Sequence, residues 1–420
     1  MAKEMKTELT VEQQLLLKCC QNQLAPDADT FSSFFAKHIP DLTRFIELTT
    51  RHRLFPVVNM AFRNQRQTVP LEIMSEVAGI AGRNLKRMMN LAGELGGLHQ
   101  LFAESGIEFI AVKGPVMVHQ LYGDYHCRQT RDLDLLVEEK NIDRAISVLT
   151  YAGYIFLDKY FLKNPEKRSL YLKRENHVRF RHPDKMVFIE LHWSVSKYFT
   201  TIQTEHLFAN SIEIEIQGKL FRTFSVEDYF VILATHGIYH RYELLFWLYD
   251  IAHILNLPGT DPLNLLAKAE KFNCTTAVKV SIALAATIFK QKTVDISGRF
   301  LKLTPREKFI FNQCFSDIFN QIPNPGGHRL KKLLDSFLIR FSRQAYLLLM
   351  TNDWNSRKRV LLNMLIKPYV WSEEAKIPRN NLIYLFMTQV KWIDLTLSGR
   401  MGRRGRISGK EGSEKRKSKR

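Results

Sequence analysis

Asp132 and Asp134 stand two residues apart in the run Arg131-Asp132-Leu133-Asp134-Leu135-Leu136-Val137. In an extended segment alternate side chains share a face, so both carboxylates point one way with Leu136 while Leu133, Leu135 and Val137 point the other. Two like charges that close repel. A cation between them relieves the repulsion, and hard carboxylate oxygens of this kind suit Mg²⁺ or Mn²⁺. A lone D-x-D is more often the edge of a solvated strand, so the surrounding elements decide.

Those elements begin with a helical preface. Thr10-Val11-Glu12-Gln13 is a capping-box pattern ahead of Leu15, Leu16 and Leu17, and a long helix runs from Pro70 or Leu71 through Met88, Met89 and Leu91 towards Ala103. Ser105-Gly106 ends it. A β-type run over 107–112 then stops at Lys113-Gly114-Pro115, where Pro115 opens the next helix, so Lys113-Gly114 sits at a strand-to-helix turn. A loop carrying Arg128 leads into the Asp132 strand, and Asn141 caps a helix that ends at Gly153. Strands are expected near 169–173, 177–181 and 186–194. In the last of these Val187, Ile189, Leu191 and Trp193 face the core, which leaves Glu190 and His192 together on the other side. After a β-like segment at 212–224 the pattern is helical over 226–239, 244–257, 262–271 and 276–290, and on to about Leu397. The fold class is α+β: a mixed sheet with flanking helices, preceded and followed by helical regions. The expected divisions are a helical region 1–104, a core 105–224, a helical domain 225–397 and a basic tail 398–420.

At 420 residues, 45% apolar and 25% charged, the chain has the composition of an ordinary folded protein. No apolar run reaches about 18 residues, so no transmembrane helix is expected. The N-terminus is charged and lacks an apolar signal region, and five cysteines without a C-x-x-C spacing argue against a disulfide framework. A cytoplasmic location follows as the expectation. The net charge of +19 suggests nucleic acid or an anionic membrane, but from Arg400 onwards ten Lys or Arg face only two acids among Gly and Ser. Such a tail cannot bury enough surface to fold. The milder excess on the body is one that a phosphate-handling enzyme could show without binding a polymer.

A strand, a Lys-Gly turn, a helix, a D-x-D strand and a later strand bearing Glu190 suit metal-assisted phosphoryl chemistry. That chemistry is positioning plus neutralisation of charge, and two Mg²⁺ ions about 3.5–4 Å apart need carboxylates converging from adjacent strands. Asp132, Asp134 and Glu190 meet the requirement, and the amides at Gly114, at a helix N-terminus, would cradle phosphates.

Lys113-Gly114, Leu121-Tyr122-Gly123-Asp124, Arg128, Arg131 to Val137 and Glu190-Leu191-His192-Trp193 resemble the uncharacterised nucleotidyltransferase family of the DNA polymerase beta-like superfamily. His236-Gly237-x-x-His240, Trp247-Leu248-x-Asp250-Ile251-Ala252, Lys367-Pro368 and Ile377-Pro378 continue the resemblance, which spans most of 15–397. It implies that Asp132 and Asp134 are metal ligands, with Asp132 shared between two ions, and that Glu190 is the third ligand or the base that activates the acceptor. Gly114 matches the phosphate-loop glycine. Most of the superfamily has Ser after it; here Pro115 follows, and Lys113 is a candidate to reach a phosphate instead. Arg128 or Arg131 would neutralise the triphosphate, the alternative for each being a surface ion pair.

His192 either touches substrate or is a hydrogen-bonded core residue. His236, His240 and Asp250 read as interhelical packing before acceptor binding, and the i, i+4 histidines without H-E-x-x-H argue against zinc. Trp193, Phe246 and Trp247 read as core aromatics, as do Met88, Met89 and Leu91. The expected activity is transfer of NMP from an NTP, ATP among the candidates, to a hydroxyl-type acceptor with release of pyrophosphate. By analogy the acceptor is a small molecule, a glycan, a lipid-linked sugar or a peptide. The competing reading is a non-catalytic protein that keeps the fold and binds nucleotide, nucleic acid or an anionic membrane through the tail.

Overall fold

The computed structural model describes residues 9–26, 31–63, 65, 68–158, 168, 169, 171, 172, 175–195, 199–290, 301–319 and 345–366. The chain divides into two compact units, Met1–Asp158 with Asn176–Gln321, and Lys159–Glu175 with Ile322–Arg420.

The first unit opens with the helix Val11–Leu24, and the expected capping box is present: the Gln13 amide donates to the Thr10 hydroxyl and the Thr10 amide to the Gln13 side chain. Leu15, Leu16 and Cys19 are buried in this helix, which packs on the helices Leu42–Arg51 and Phe55–Phe62. The helix Leu71–Glu104 is 34 residues long, about 50 Å at 1.5 Å per residue. It buries Val77, Asn84, Met88, Leu91, Leu95, Leu98 and Phe102, a stripe at helical spacing. Met89 is exposed, contrary to expectation, because consecutive helical positions are about 100° apart.

Beyond Gly106 the chain enters a five-stranded sheet in the order β1-β2-β5-β4-β3. Its strands are β1 (Ile110–Ala111), β2 (Leu133–Leu136), β3 (Ile155–Phe156), β4 (His177–Arg181) and β5 (Phe188–His192). β2 and β5 are parallel and the other pairs antiparallel. β1 is shorter than 107–112, since it pairs only with Leu135 and Leu136 of β2. Val187, Ile189, Leu191 and Trp193 are all buried, as the alternation requires. The helix Ile142–Tyr151 follows a 3₁₀ turn, Glu139–Asn141. Asn141 stands at its N-cap, but the side chain makes no capping bond because the residue is already in helical conformation.

The segment expected to be β-like at 212–224 is a hairpin, β6 (Ile212–Ile216) and β7 (Lys219–Thr223). Gln217 and Gly218 have φ of 53° and 75°, the positive values a two-residue turn of matching twist needs. Val226–Tyr239, Leu245–Leu255, Pro262–Lys271, Thr275–Phe289 and Pro305–Phe319 then pack as a helical cluster. Asp261 accepts from the Leu263 amide just ahead of Pro262, the helix start its sequence announces.

In the second unit the residues near 169–173 were expected to form a strand; 168, 169, 171 and 172 are helical instead, and the Glu175 amide donates to the Tyr171 carbonyl. The helix Trp354–Ile366 starts behind Asp353, which accepts from the Ser356 amide. Lys367-Pro368, Ile377-Pro378 and the basic tail 398–420 lie outside the described residues. Among the described residues no helix is long and apolar enough to cross a membrane.

Candidate active site

The parallel pairing of β2 with β5 sets Asp134 in register with Glu190. Asp134 is 3% exposed and Glu190 30%, so one carboxylate is enclosed and the other reaches solvent. His192, two residues beyond Glu190 on the same face of β5, places Nε2 3.1 Å from Asp134 Oδ1 and 3.4 Å from Glu190 Oε2. Lys113 Nζ lies 3.8 Å from the same Asp134 oxygen. Burial by itself disfavours the Asp134 anion, but Lys113 and the hydrogen bond from His192 hold its carboxyl well below the usual range. Glu190 is also lowered: burial opposes its charge, and His192 and His177 outweigh that.

At Asp132 the balance runs the other way, because Lys113 and Arg53 only partly offset what opposes its charge. Burial and the carboxylates of Asp134 and Glu190 push it up to about 7. Asp132, Asp134 and Glu190 thus bring three carboxylates to neighbouring strands, hard oxygen donors of the kind a divalent cation takes.

Gly114 caps the helix Pro115–Tyr122 with φ +83° and ψ −148°, a conformation close to glycine-only. A Cβ there would sit 3.5 Å from Leu133 Cδ2 and 3.6 Å from the Asp132 carbonyl, so the turn lies against the strand that carries the aspartates. A cavity of about 180 Å³ is lined by Arg53, Lys113, Gly114, Arg131, Asp132, Asp134, Glu190 and His236, and also by Trp247. Gln129 Oε1 and Thr130 Oγ1 belong to buried residues of the same lining and, among the described residues, have no hydrogen-bond partner. A second cavity, about 230 Å³, shares Lys113, Glu190 and His236 with the first and adds Asn176, His177, His192, Ile232 and His240.

Arg128 also lines the first cavity, but its guanidinium is committed elsewhere. It is 7% exposed, donates from Nε to Asp250 Oδ1 and from Nη2 to Oδ2, each at 2.9 Å, and lies 5.1 Å from the Phe246 ring centre. The surface ion pair weighed for it is therefore an ion pair, but a buried one. Burial favours the neutral form, yet the Asp250 carboxylate keeps Arg128 above its usual value. Tyr122 donates to the same Asp250 Oδ1 at 2.5 Å, and Asn84 donates to the Arg128 carbonyl. Arg131, by contrast, is exposed at the cavity edge.

The grouping of His236, His240 and Asp250 separates here. Asp250 belongs to the Arg128 pair, whereas His236 and His240 lie 4.9 Å apart ring to ring and both contact Trp247. Trp247 is half-buried and lines the first cavity, not the enclosed core aromatic expected. Gly237 has a packing reason: any Cβ would overlap the ring of buried Tyr242.

Two residues escaped the sequence reading. Arg53, from the preface, follows the helix Leu42–Arg51 with φ +56° and reaches the cavity, where burial and Arg131 lower it to about 10. No motif marks it. His177 faces His192 across β4 and β5, with Nε2 3.9 Å from Glu190 Oε1. Among the described residues, His177, Glu190 and His192 are the group whose potential metal-donor atoms all lie within 4.8 Å of one another, and Asp132 and Asp134 are not in it. Only the strand register would have disclosed it.

A family described as uncharacterised nucleotidyltransferase matches residues 40–290. The chain belongs to that family. The match takes in the Gly114 turn, the carboxylates on β2 and β5, Arg53 and the His236 and Asp250 helices, so every side chain of the site described above falls inside it. Comparison with curated proteins and with solved structures finds no match.

Proposed function

We propose that this nucleotidyltransferase-family protein is an active enzyme that moves NMP from an NTP to a hydroxyl-type acceptor. The reading is carried by one observation: the parallel register of β2 and β5 puts Glu190 beside Asp134, next to an Asp132 that is pushed up to about 7. Asp132, Asp134 and Glu190 would hold Mg²⁺ or Mn²⁺, which when bound supplies Lewis-acid polarisation of the phosphoryl oxygens. The Gly114 turn, at a helix N-terminus, receives the phosphates, with Arg53, Lys113 and Arg131 balancing their charge around the first cavity. Lys113 is divided between this task and Asp134, since it stands 3.8 Å from that carboxylate. Arg128 positions the loop that leads to Asp132.

Glu190 opens on both cavities and so can meet an acceptor hydroxyl on one side and the α-phosphorus on the other. The acceptor hydroxyl gives up its proton, to Glu190 where that residue is the base, its oxygen forms a bond to the α-phosphorus, the bond from that phosphorus to the bridging oxygen breaks, and pyrophosphate leaves. We keep the division at 105–224 as the functional core, with the flanking helical regions adding Arg53 and His236. By analogy the acceptor is a small molecule, a glycan or a peptide group.

Calorimetric titration of each NTP with and without Mg²⁺ tests the reading. Binding should need the ion and collapse in Asp132→Asn with Asp134→Asn. Labelled NTP incubated with cell extract should then give a nucleotide-sized mass shift on one compound, absent with Asp134→Asn. Wild-type binding by the double variant overturns the assignment.

A further inference from the structure

His177, Glu190 and His192 bring two imidazoles and a carboxylate together on adjacent strands, and none of the chemistry proposed above uses the imidazoles as ligands. We infer that they form a cation site of their own, selective for a borderline divalent ion such as Zn²⁺ over Mg²⁺. It shares Glu190 with the function proposed above and needs neither Asp132 nor Asp134.

The spacing fits. His192 Nε2 and His177 Nε2 lie 3.4 Å and 3.9 Å from the two Glu190 oxygens. Two donors at about 2.0–2.1 Å from one ion in tetrahedral array are about 3.4 Å apart, so a small rotation of the side chains suffices. The hydrogen bond behind His177 fits too. His177 Nδ1 is 3.0 Å from the Asn176 side-chain oxygen, and in the tautomer whose Nδ1–H donates to that oxygen Nε2 is the ligating nitrogen. His192 is 7% exposed, its Nε2 would have to give up the hydrogen bond to Asp134 Oδ1 to meet an ion, and among the described residues its Nδ1 has no partner, so it is the weaker imidazole ligand and His177 carries the affinity. Access is open, because all three residues line the cavity of about 230 Å³.

Two imidazoles with one carboxylate select by softness. Imidazole suits Zn²⁺ and Fe²⁺, whereas Mg²⁺ keeps to oxygen ligands and its own waters. With Glu190 shared, an ion here would lie beside one held by the aspartates, so the two sites would differ in kind.

The experiment uses the full chain after chelator treatment. Zn²⁺ is titrated calorimetrically in millimolar Mg²⁺, and Mn²⁺ is added to a second sample for pulsed electron paramagnetic resonance, which reports bound nitrogen. The expected result is one Zn²⁺ site that persists in excess Mg²⁺ and in Asp132→Asn with Asp134→Asn, and a nitrogen coupling on Mn²⁺. His177→Ala abolishes both, and Asn176→Ala, which keeps the ligand, weakens Zn²⁺ by about 10–100-fold. Circular dichroism confirms that each variant is folded, and His177→Gln replaces any that is not. Absence of the wild-type site, Zn²⁺ binding unchanged in the His177 variant, or loss only in the double aspartate variant each overturns the inference. If Zn²⁺ behaves as expected while the double aspartate variant binds NTP normally, the proposed function fails and this site stands.

Discussion

Removing Asp250 should destabilise the protein more than removing any exposed carboxylate, and the structure says by how much. Asp250 is buried, pairs with the buried Arg128 through both carboxylate oxygens, and accepts from Tyr122. Asp250→Leu leaves a guanidinium in the interior with no counter-charge, a change that costs about 3–5 kcal/mol, and it orphans the Tyr122 hydroxyl for about 1–3 kcal/mol if no other acceptor is found. In urea, with an unfolding slope near 3 kcal/mol per molar, a loss of 3–5 kcal/mol moves the midpoint down by about 1–2 M. The informative comparison is a triple variant, Arg128→Met, Asp250→Leu and Tyr122→Phe. It removes every member of the network, and apolar replacement of a buried pair is neutral or stabilising by about 1–4 kcal/mol. Its midpoint should therefore return to the wild-type value or rise above it by up to about 1.3 M. Tryptophan fluorescence and far-ultraviolet circular dichroism both follow the transition. A midpoint shift in Asp250→Leu under about 0.3 M, or a triple variant as unstable as its single changes added together, would refute the network as a coupled unit.

Three further outcomes follow from the same geometry. In metal-free protein Asp132 holds a proton between about pH 4 and about 7 that the unfolded chain has released, so stability falls as pH rises through that window. The lowered Asp134 and Glu190 contribute stability that is lost as pH falls, below about 4, and the raised His192 begins to lose its contribution only above about 6.5. Urea midpoints in chelator should show the decline between pH 4 and 6 for wild type and a flatter profile for Asp132→Asn. Gly114→Ala has room for its methyl but not the backbone freedom, so it should cost about 1–3 kcal/mol and weaken NTP binding; calorimetry unchanged from wild type would show that the turn is not at the phosphates. Gly237→Ala drives a methyl into the Tyr242 ring, which is pinned by a 2.6 Å bond to Ser281, and should cost about 1–3 kcal/mol or more in a thermal melt, recovered in part by Tyr242→Ala.

What the sequence disclosed and what it hid divide along physical lines. The D-x-D strand, the Lys113-Gly114 turn and the β5 alternation were legible because each is local: period-two patterning, a proline at a helix start, a glycine before it. Helix limits such as Val226–Tyr239 and Pro262–Lys271 were legible for the same reason. Parallel pairing of β2 with β5 is a contact between residues more than fifty positions apart, and nothing local encodes it. Arg53 was invisible because its left-handed conformation depends on tertiary contacts; His52, just before it, takes the Leu245 amide. The partner of Arg128 was hidden because both halves of the ion pair were in plain view as motif residues, and only the fold shows that they meet.

The site geometry is held by residues that touch none of its chemistry. Val187, Ile189 and Leu191 are each fully buried and Trp193 nearly so, while Glu190 and His192 stand on the opposite face of the same strand. A slip of β5 by one residue would turn all four apolar side chains towards the cavities and drive Glu190 and His192 into the core. At about 1.5–3 kcal/mol for each large apolar side chain, exposure alone forfeits about 6–12 kcal/mol, as much as the whole stability of an ordinary domain. The attraction of Asp134 or Glu190 for a cation cannot set the register, because in the metal-free chain those carboxylates repel. The core must fix it first. Substitutions at Ile189 or Leu191 should accordingly disturb nucleotide and metal binding together, whereas a ligand substitution such as His177→Ala should disturb one and leave the strand in place.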